Sequence, residues 1–390
     1  MKILVASHTY IIDLNCEKLR ALSQLEQNLE VTVVVPQKWQ PGGVQNRIIE
    51  THYHQQGKFR LVPISNFHQN HQSLMAFGYD LISLLRQFRP HIIQVEQGSK
   101  SLAYSQMIAL NKILRLQAKN VFFTWWNLPY QLKFPVSLLE KYNLRHSDGI
   151  ICGNQEGAEI LRQRGYKGQI KVIPQLGVDE RVFKRQYQPE LAKKLGIKPE
   201  EFVIGFVGRF VPEKGLLTLF DALKILSDKP WKLLLLGRGE LELELRQKAR
   251  ENNWEDRIIF RESVPHEQVA QYINLMNTLV LPSETTYQFK TFGSCGWKEQ
   301  FGHVLIEAMA CQVPVIGSNS GEIPHVIGDA GLIFPEKDGK ALANCIIKLM
   351  EKPDFAQYLG EKGYQRVTAQ YTNKALAKQQ LDFYKEIVSS

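Results

Sequence analysis

Short runs of aliphatic and β-branched residues recur along the chain, separated by segments whose apolar positions repeat every three to four residues. In the first half the runs are Lys2–Ala6, Val31–Val35, Arg60–Ile64, His91–Val95, Val121–Thr124, Gly149–Cys152 and Ile170–Ile173, with periodic segments such as Leu74–Phe88 and Leu102–Leu116 between them. Buried strands alternating with amphipathic helices predict a mainly parallel sheet covered on both faces. The pattern then starts afresh, with strands at Phe202–Val207, Lys232–Leu236, Arg257–Phe260, Thr278–Leu281, Val313–Gly317 and Gly331–Phe334. Two successive series predict two doubly wound, Rossmann-like α/β domains, a fold type that takes ligands at the carboxyl ends of its strands. The join is expected within Pro174–Pro199, a stretch of charge and turn formers, so the domains are assigned to residues 1–175 and 176–372. The helical pattern Asn373–Val388, within the remaining residues 373–390, follows the last strand with no strand of its own.

Composition narrows the classes. A chain of 390 residues is too long for one comfortable core. Hydrophobic content of 44% with 22% charge is that of an ordinary globular protein. No run approaches the ~18 apolar residues of a membrane span, and Ile3–Ala6 is too brief for a signal peptide. The five cysteines, at 16, 152, 295, 311 and 345, are odd in number and show no metal-ligand spacing. They are expected to be reduced thiols of a cytoplasmic protein. The formal charge of +9 is unevenly spread: residues 1–175 hold 20 Lys and Arg against 11 Asp and Glu, whereas the remainder holds 28 of each. A basic first half suits an anionic membrane surface or an acidic acceptor. Its cations are scattered, without an aromatic–basic register or a nucleic-acid motif, so nucleic acid is not expected as a partner.

The sharpest chemical signal is Glu299-Gln-Phe301-Gly302-His303-Val304-Leu-Ile-Glu307-Ala-Met-Ala. A loop ending in Gly302 runs into a helix predicted to begin near His303, where free amides favour an anion and the glycine admits close approach. Glu307 falls one turn into that helix, among Leu305, Ile306, Ala308 and Met309. A carboxylate in so apolar a run needs donors, and the paired hydroxyls of a ribose would supply them. Glu299 precedes the helix, placed to reach the sugar end of the same ligand.

A second signal is Gly208-Arg209-Phe-Val-Pro212-Glu-Lys214-Gly215 after the strand Phe202–Val207. Pro212 predicts a helix start, which puts Lys214 in a first turn, where the helix dipole disfavours a cation. An anion held between Arg209 and Lys214 would reverse that penalty and would be stabilised as it departs. Weaker features are Gly237-Arg-Gly239 after a four-leucine strand, lacking the full dinucleotide fingerprint, and Ser263-Val264-Pro-His266, which leads from a strand into a helix and could pass beside a base. The histidine side chains show no ligand constellation; His303 is singled out for its backbone amide.

These residues resemble family 4 of the retaining glycosyltransferases, which have the GT-B fold. The family's Glu-x7-Glu motif matches Glu299 and Glu307, and its phosphate-binding Arg and Lys match Arg209 and Lys214. The specific resemblance spans most of residues 170–370. It implies donor binding by the second domain, with Gly208, Gly237, Val264, Phe301, Gly302, His303 and Val304 around the nucleotide sugar, and a glycan or lipid-linked acceptor on the first. It further implies a site in the cleft between the domains, a last helix crossing back to the first domain, no cofactor and no metal; no Asp-x-Asp occurs. Uridine diphosphate is the expected leaving group. Three departures matter. Thr124-Trp125-Trp126-Asn127 stands where the family often has His-Asp, with Trp126 in the histidine's place and Asn127 near a sugar hydroxyl. The glycine-rich first loop is replaced by Ser7–Glu17, where Asn15 is expected to cap the next helix. The segment Glu284–Lys298 is expected to be a long loop bordering the sugar. A sugar-nucleotide epimerase and a non-catalytic binding protein are the competing readings.

Overall fold

In a computed structural model, residues 1–41, 47–291 and 294–389 are described. The chain divides into two compact units, Met1–Gly177 with Asn373–Ser390, and Val178–Thr372.

The first unit is built on an eight-stranded sheet: β1 (Lys2–Ala6), β2 (Glu30–Pro36), β3 (His54–Gln56), β4 (Phe59–Ile64), β5 (Ile92–Val95), β6 (Lys119–Thr124), β7 (Gly149–Cys152) and β8 (Gln169–Val172). Their spatial order is β8-β7-β6-β5-β1-β2-β4-β3. Only β3 pairs antiparallel, at the edge, in register Gln55↔Arg60. The near-continuous apolar strands are buried on both faces, as parallel sheets require. Order reverses between β1 and β5, so the loops after Ala6 and Val95 open side by side at the carboxyl edge.

The helix expected from Leu74 begins only at Asp80 and ends at Phe88. Ahead of it Ala76–Phe77 pairs with Asn66–Phe67 in a two-stranded ribbon, so tertiary pairing claims apolar residues that helical periodicity also fits. The next helix, Leu102–Ile113, is capped by Ser101, which accepts from the Tyr104 amide. The last helix, Asn373–Ser389, joins this unit. Tyr384 Oη donates to Gln94 Oε1 at 2.7 Å, and Ile387 lies so close to Gly149 that a Cβ there would meet its Cδ1 at 2.3 Å.

The second unit carries β9 (Phe202–Val207), β10 (Trp231–Leu236), β11 (Ile258–Arg261), β12 (Thr278–Leu281), β13 (Val315–Ser318) and β14 (Gly331–Phe334). All are parallel, in the order β11-β10-β9-β12-β13-β14. The reversal falls between β9 and β12, which brings the loop after Val207 beside the loop after Leu281. Among the described residues no helix is long and apolar enough to cross a membrane.

Candidate active site

The reversal point of the second unit collects most of the residues singled out in the sequence. Gly208 and Arg209 leave the end of β9, and Ser283 leaves the end of β12. The loop after β10 is held against the first of these: a Cβ on Gly237 would lie 1.9 Å from the Gly208 carbonyl oxygen. Backbone packing thus demands that glycine before any ligand does.

Lys214 differs from expectation. Pro212–Lys214 is a 3₁₀ turn, and the α-helix Leu216–Ile225 begins only after Gly215, its N-cap at φ 66°. Lys214 therefore precedes the helix, and a carboxylate rather than a helix terminus answers its charge. Its Nζ donates to Glu299 Oε2 at 2.5 Å and lies 5.0 Å from the centre of the Trp297 ring. The same Glu299 oxygen accepts the Ser283 hydroxyl at 2.7 Å. Glu299 is 7% exposed, so the pair is largely withdrawn from water. Arg209 is a contrast: its guanidinium is 63% exposed and, among the described residues, pairs with the buried Glu213 carboxylate at 3.5 Å. It is a cation on a short tether with room to move.

Glu307 occupies the helix His303–Ala310, whose N-cap is Gly302 at φ 80°. That left-handed backbone suits glycine, and no side chain caps the helix. Phe301 is buried, edge-on to Tyr371 at 5.7 Å. Glu307 is 6% exposed. His266 Nε2 lies 3.0 Å from its Oε1, and His303 Nε2 lies 4.0 Å from the same oxygen. The hydrogen bond to Glu307 raises the pKa of His266, burial opposing; Phe183 packs against its ring at 5.1 Å. Treating the histidines as bystanders missed this partner. Its placement directly after Val264 and Pro265, at the carboxyl side of β11, was the available signal, but no sequence spacing ties residue 266 to residue 307.

The segment Glu284–Lys298 is no irregular loop. Thr286–Thr291 pairs antiparallel with Ser294–Trp297, and residues 292–293 lie outside the described residues. The base of this hairpin is anchored: Thr218 donates to Glu284 at 2.5 Å, and the Thr285 amide and hydroxyl both donate to Glu336, at 2.6 and 2.7 Å.

In the first unit, Asn15 does not cap a helix. It sits in the 3₁₀ turn Asp13–Cys16, and its Nδ2 donates to the Thr9 carbonyl at 2.8 Å. The helix Glu17–Gln24 starts from Cys16 without a side-chain cap, because Asn15 is spent bracing the first loop. His8 in that loop packs at a tilt against Trp39, ring centres 4.8 Å apart, and burial lowers its pKa to about 4. Trp125 is locked by its indole donating to Gln175 at 2.9 Å. Asn127 is buried. Trp126 is half-buried, its indole donating to the Leu128 carbonyl at 2.5 Å.

Residues 188–366 match the family model for glycosyl transferases group 1. The chain is 29% identical over 214 residues to N-acetyl-alpha-D-glucosaminyl L-malate synthase of Bacillus anthracis, covering 54% of this chain and 52% of that protein. It is 31% identical over 186 residues to the capsular polysaccharide biosynthesis glycosyltransferase CapM of Staphylococcus aureus, covering 45% and 44%. The chain spans about half the length of these curated relatives. Among solved structures, sucrose-phosphate synthase from Thermosynechococcus elongatus superposes with a TM-score of 0.69 at 21% identity, over 100% of this chain and 99% of that one. Anabaena Alr3699/HepE in complex with UDP superposes with 0.70 at 17%, over 99% and 100%. The fold is GT-B, with two Rossmann-like domains.

Proposed function

We propose that this chain is a group 1 glycosyltransferase of the retaining family 4 type, moving a sugar from a nucleoside diphosphate, most simply UDP, to a glycan or lipid-linked acceptor. The observation that carries the reading is the Lys214–Glu299–Ser283 cluster at the strand-order reversal of the second unit, inside the segment that matches the family. Its chemistry fits the transfer. Glu299 neutralises Lys214; a bound diphosphate shares that ammonium and draws in the exposed Arg209. Two cations then face the oxygen that leaves with the nucleotide and stabilise its growing charge. Glu307 takes the ribose hydroxyls in exchange for His266, and the amides at His303 and Val304 face the anion. Glu299 meets the transferring sugar. Metal and cofactor have no role in this scheme. A UDP complex of a structural neighbour and a GDP-mannose-dependent relative, the phosphatidylinositol monomannoside mannosyltransferase of Corynebacterium glutamicum, both fit a nucleotide-sugar donor. The basic first unit takes the acceptor, in a protein working in the cytoplasm, where the same charge suits peripheral contact with an anionic membrane.

The test is a panel of UDP-, GDP- and ADP-sugars, with nucleotide release and product mass read by mass spectrometry. The expected result is nucleoside diphosphate release tied to an acceptor heavier by one sugar residue. Tight binding with no release would support a binding protein, and isomerised donor without acceptor an epimerase.

A further inference from the structure

Among the described residues of the first unit, the Lys100 ammonium is left without the partner its chemistry asks for. The loop after β5, Glu96 to Ser101, opens at the carboxyl edge of the sheet beside the loop after β6, which carries Trp126 and Tyr130. Lys100 bridges them. Its Nζ stands 4.0 Å from the centre of the Trp126 ring and 3.7 Å from that of Tyr130. The carboxylate that acts on it, Glu140, is already engaged. Glu140, fully buried, accepts the Ser99 hydroxyl at 2.8 Å, the Tyr130 hydroxyl, and Arg164 Nε at 2.6 Å. Arg164 also stacks on Tyr130, at 4.3 Å. Two cations thus share two aromatic rings and one carboxylate, and Arg164 holds the carboxylate.

The Lys100 ammonium makes no hydrogen bond or ion pair among the described residues. Aromatic faces attract a cation but accept none of its three N–H bonds well. Burial pushes its pKa down to about 8, with Glu140 opposing the shift and Arg164 adding to it. The neighbourhood holds one positive charge more than it neutralises, at the sheet edge where this fold type binds ligands.

We infer that Lys100 is an anion-binding residue of the acceptor site, and that the group it recognises is a carboxylate or phosphate lying beside Trp126. The inference rests on the reading of the first unit as the acceptor side. An oxyanion there would accept the unused N–H bonds, and the indole would border the sugar or glycerol that carries it. The tryptophan standing in the place of the family's histidine then serves as one wall of a cation box.

The test uses the full chain labelled with ¹⁵N, following the tryptophan indole resonances. Trp126 is assigned by its disappearance in Trp126→Phe. Glucuronate and glycerol 3-phosphate are titrated at constant ionic strength, with glucose and glycerol as neutral controls. At least one acid should shift the Trp126 indole saturably while the neutral compounds do not, and whichever acid acts identifies the source of the anion. Lys100→Gln should weaken that response by about tenfold or more, the loss of one charge-assisted hydrogen bond, and Lys100→Arg should retain most of it. An undiminished response in Lys100→Gln, no saturable response to either acid, or equal response to glucose would each overturn the inference. UDP binding by calorimetry on the same proteins keeps the questions apart. Failure of UDP to bind the parent defeats the donor reading, while the acid titration still decides this one.

Discussion

The ammonium of Lys214 and the carboxylate of Glu299 neutralise each other where little water reaches, so removing one strands the other. Lys214→Met should therefore lose stability as well as turnover, by about 3 kcal/mol for an uncompensated buried charge. Adding Glu299→Gln should recover most of the stability and none of the activity. Thermal midpoints and nucleotide release on the three variants check this, and a double variant no more stable than Lys214→Met would contradict it. Arg209→Ala removes an exposed cation from a long contact with the buried Glu213, so it should cost less stability than Lys214→Met while slowing turnover by about 10²–10³. The Glu307–His266 pair supplies a pH dependence. The His266 pKa is raised, so the protonated form that grips Glu307 is favoured on the acid side and lost as pH rises through that value. Glu307, Glu267 and Asp179 are the charges that act on it. UDP affinity should climb as pH rises through that raised pKa and the imidazole releases the carboxylate. His266→Ala should bind more tightly at the acid end and follow a flatter profile. The nucleotide's own titration is common to both proteins and cancels in their ratio, so equal profiles would sink the competition. These pairings were not legible in the sequence. Residue types told that Glu307 needed donors, but which donor comes from 41 positions away is a fact of folding.

At the scale of elements, periodicity carried the reading well where strands are buried on both faces, because most of their residues are apolar. It failed where two-stranded ribbons form outside the main sheets. Ala76–Phe77 looks like a helix start, and in Thr286–Trp297 the polar–aromatic alternation Thr-Tyr-Gln-Phe-Lys marks only one of the hairpin's two strands. The terminal helix Asn373–Ser389 was legible as a helix and unplaced by pattern alone. Its attachment explains its composition: Leu376, Phe383, Tyr384 and Ile387 are buried, while Lys378 and Asp382 pair at 2.9 Å on the outer face. Ending the chain at Thr372 would uncover Gln94 and the strand at Gly149. Hydrogen exchange should then quicken across β1, β5 and β7 while β9, β10 and β12 keep their protection. Equal loosening of both units would show the helix stabilising something other than the first.

Across the whole molecule, charge follows the structural division more closely than the midpoint of the chain. The unit Met1–Gly177 with Asn373–Ser390 contains 23 Lys and Arg against 13 Asp and Glu, a net of +10, and Val178–Thr372 contains 25 against 26, a net of −1. The field of the first unit suits an acidic partner at long range, whereas the second has no bulk charge to offer a diphosphate. Under the proposed transfer, whatever neutralises a departing nucleotide there must be local, either placed cations or a bound divalent ion. Arg209 and Lys214 at the reversal point are such placed cations, and Lys214 is held beside Glu299. A group fixed in advance costs little reorganisation when the bond breaks. Nucleotide release should accordingly persist in EDTA at the rate seen without it, and added Mg²⁺ or Mn²⁺ should change it less than Arg209→Ala does. Loss of release in EDTA with recovery on Mn²⁺ would mean that a divalent ion, not this pair of side chains, carries the leaving charge.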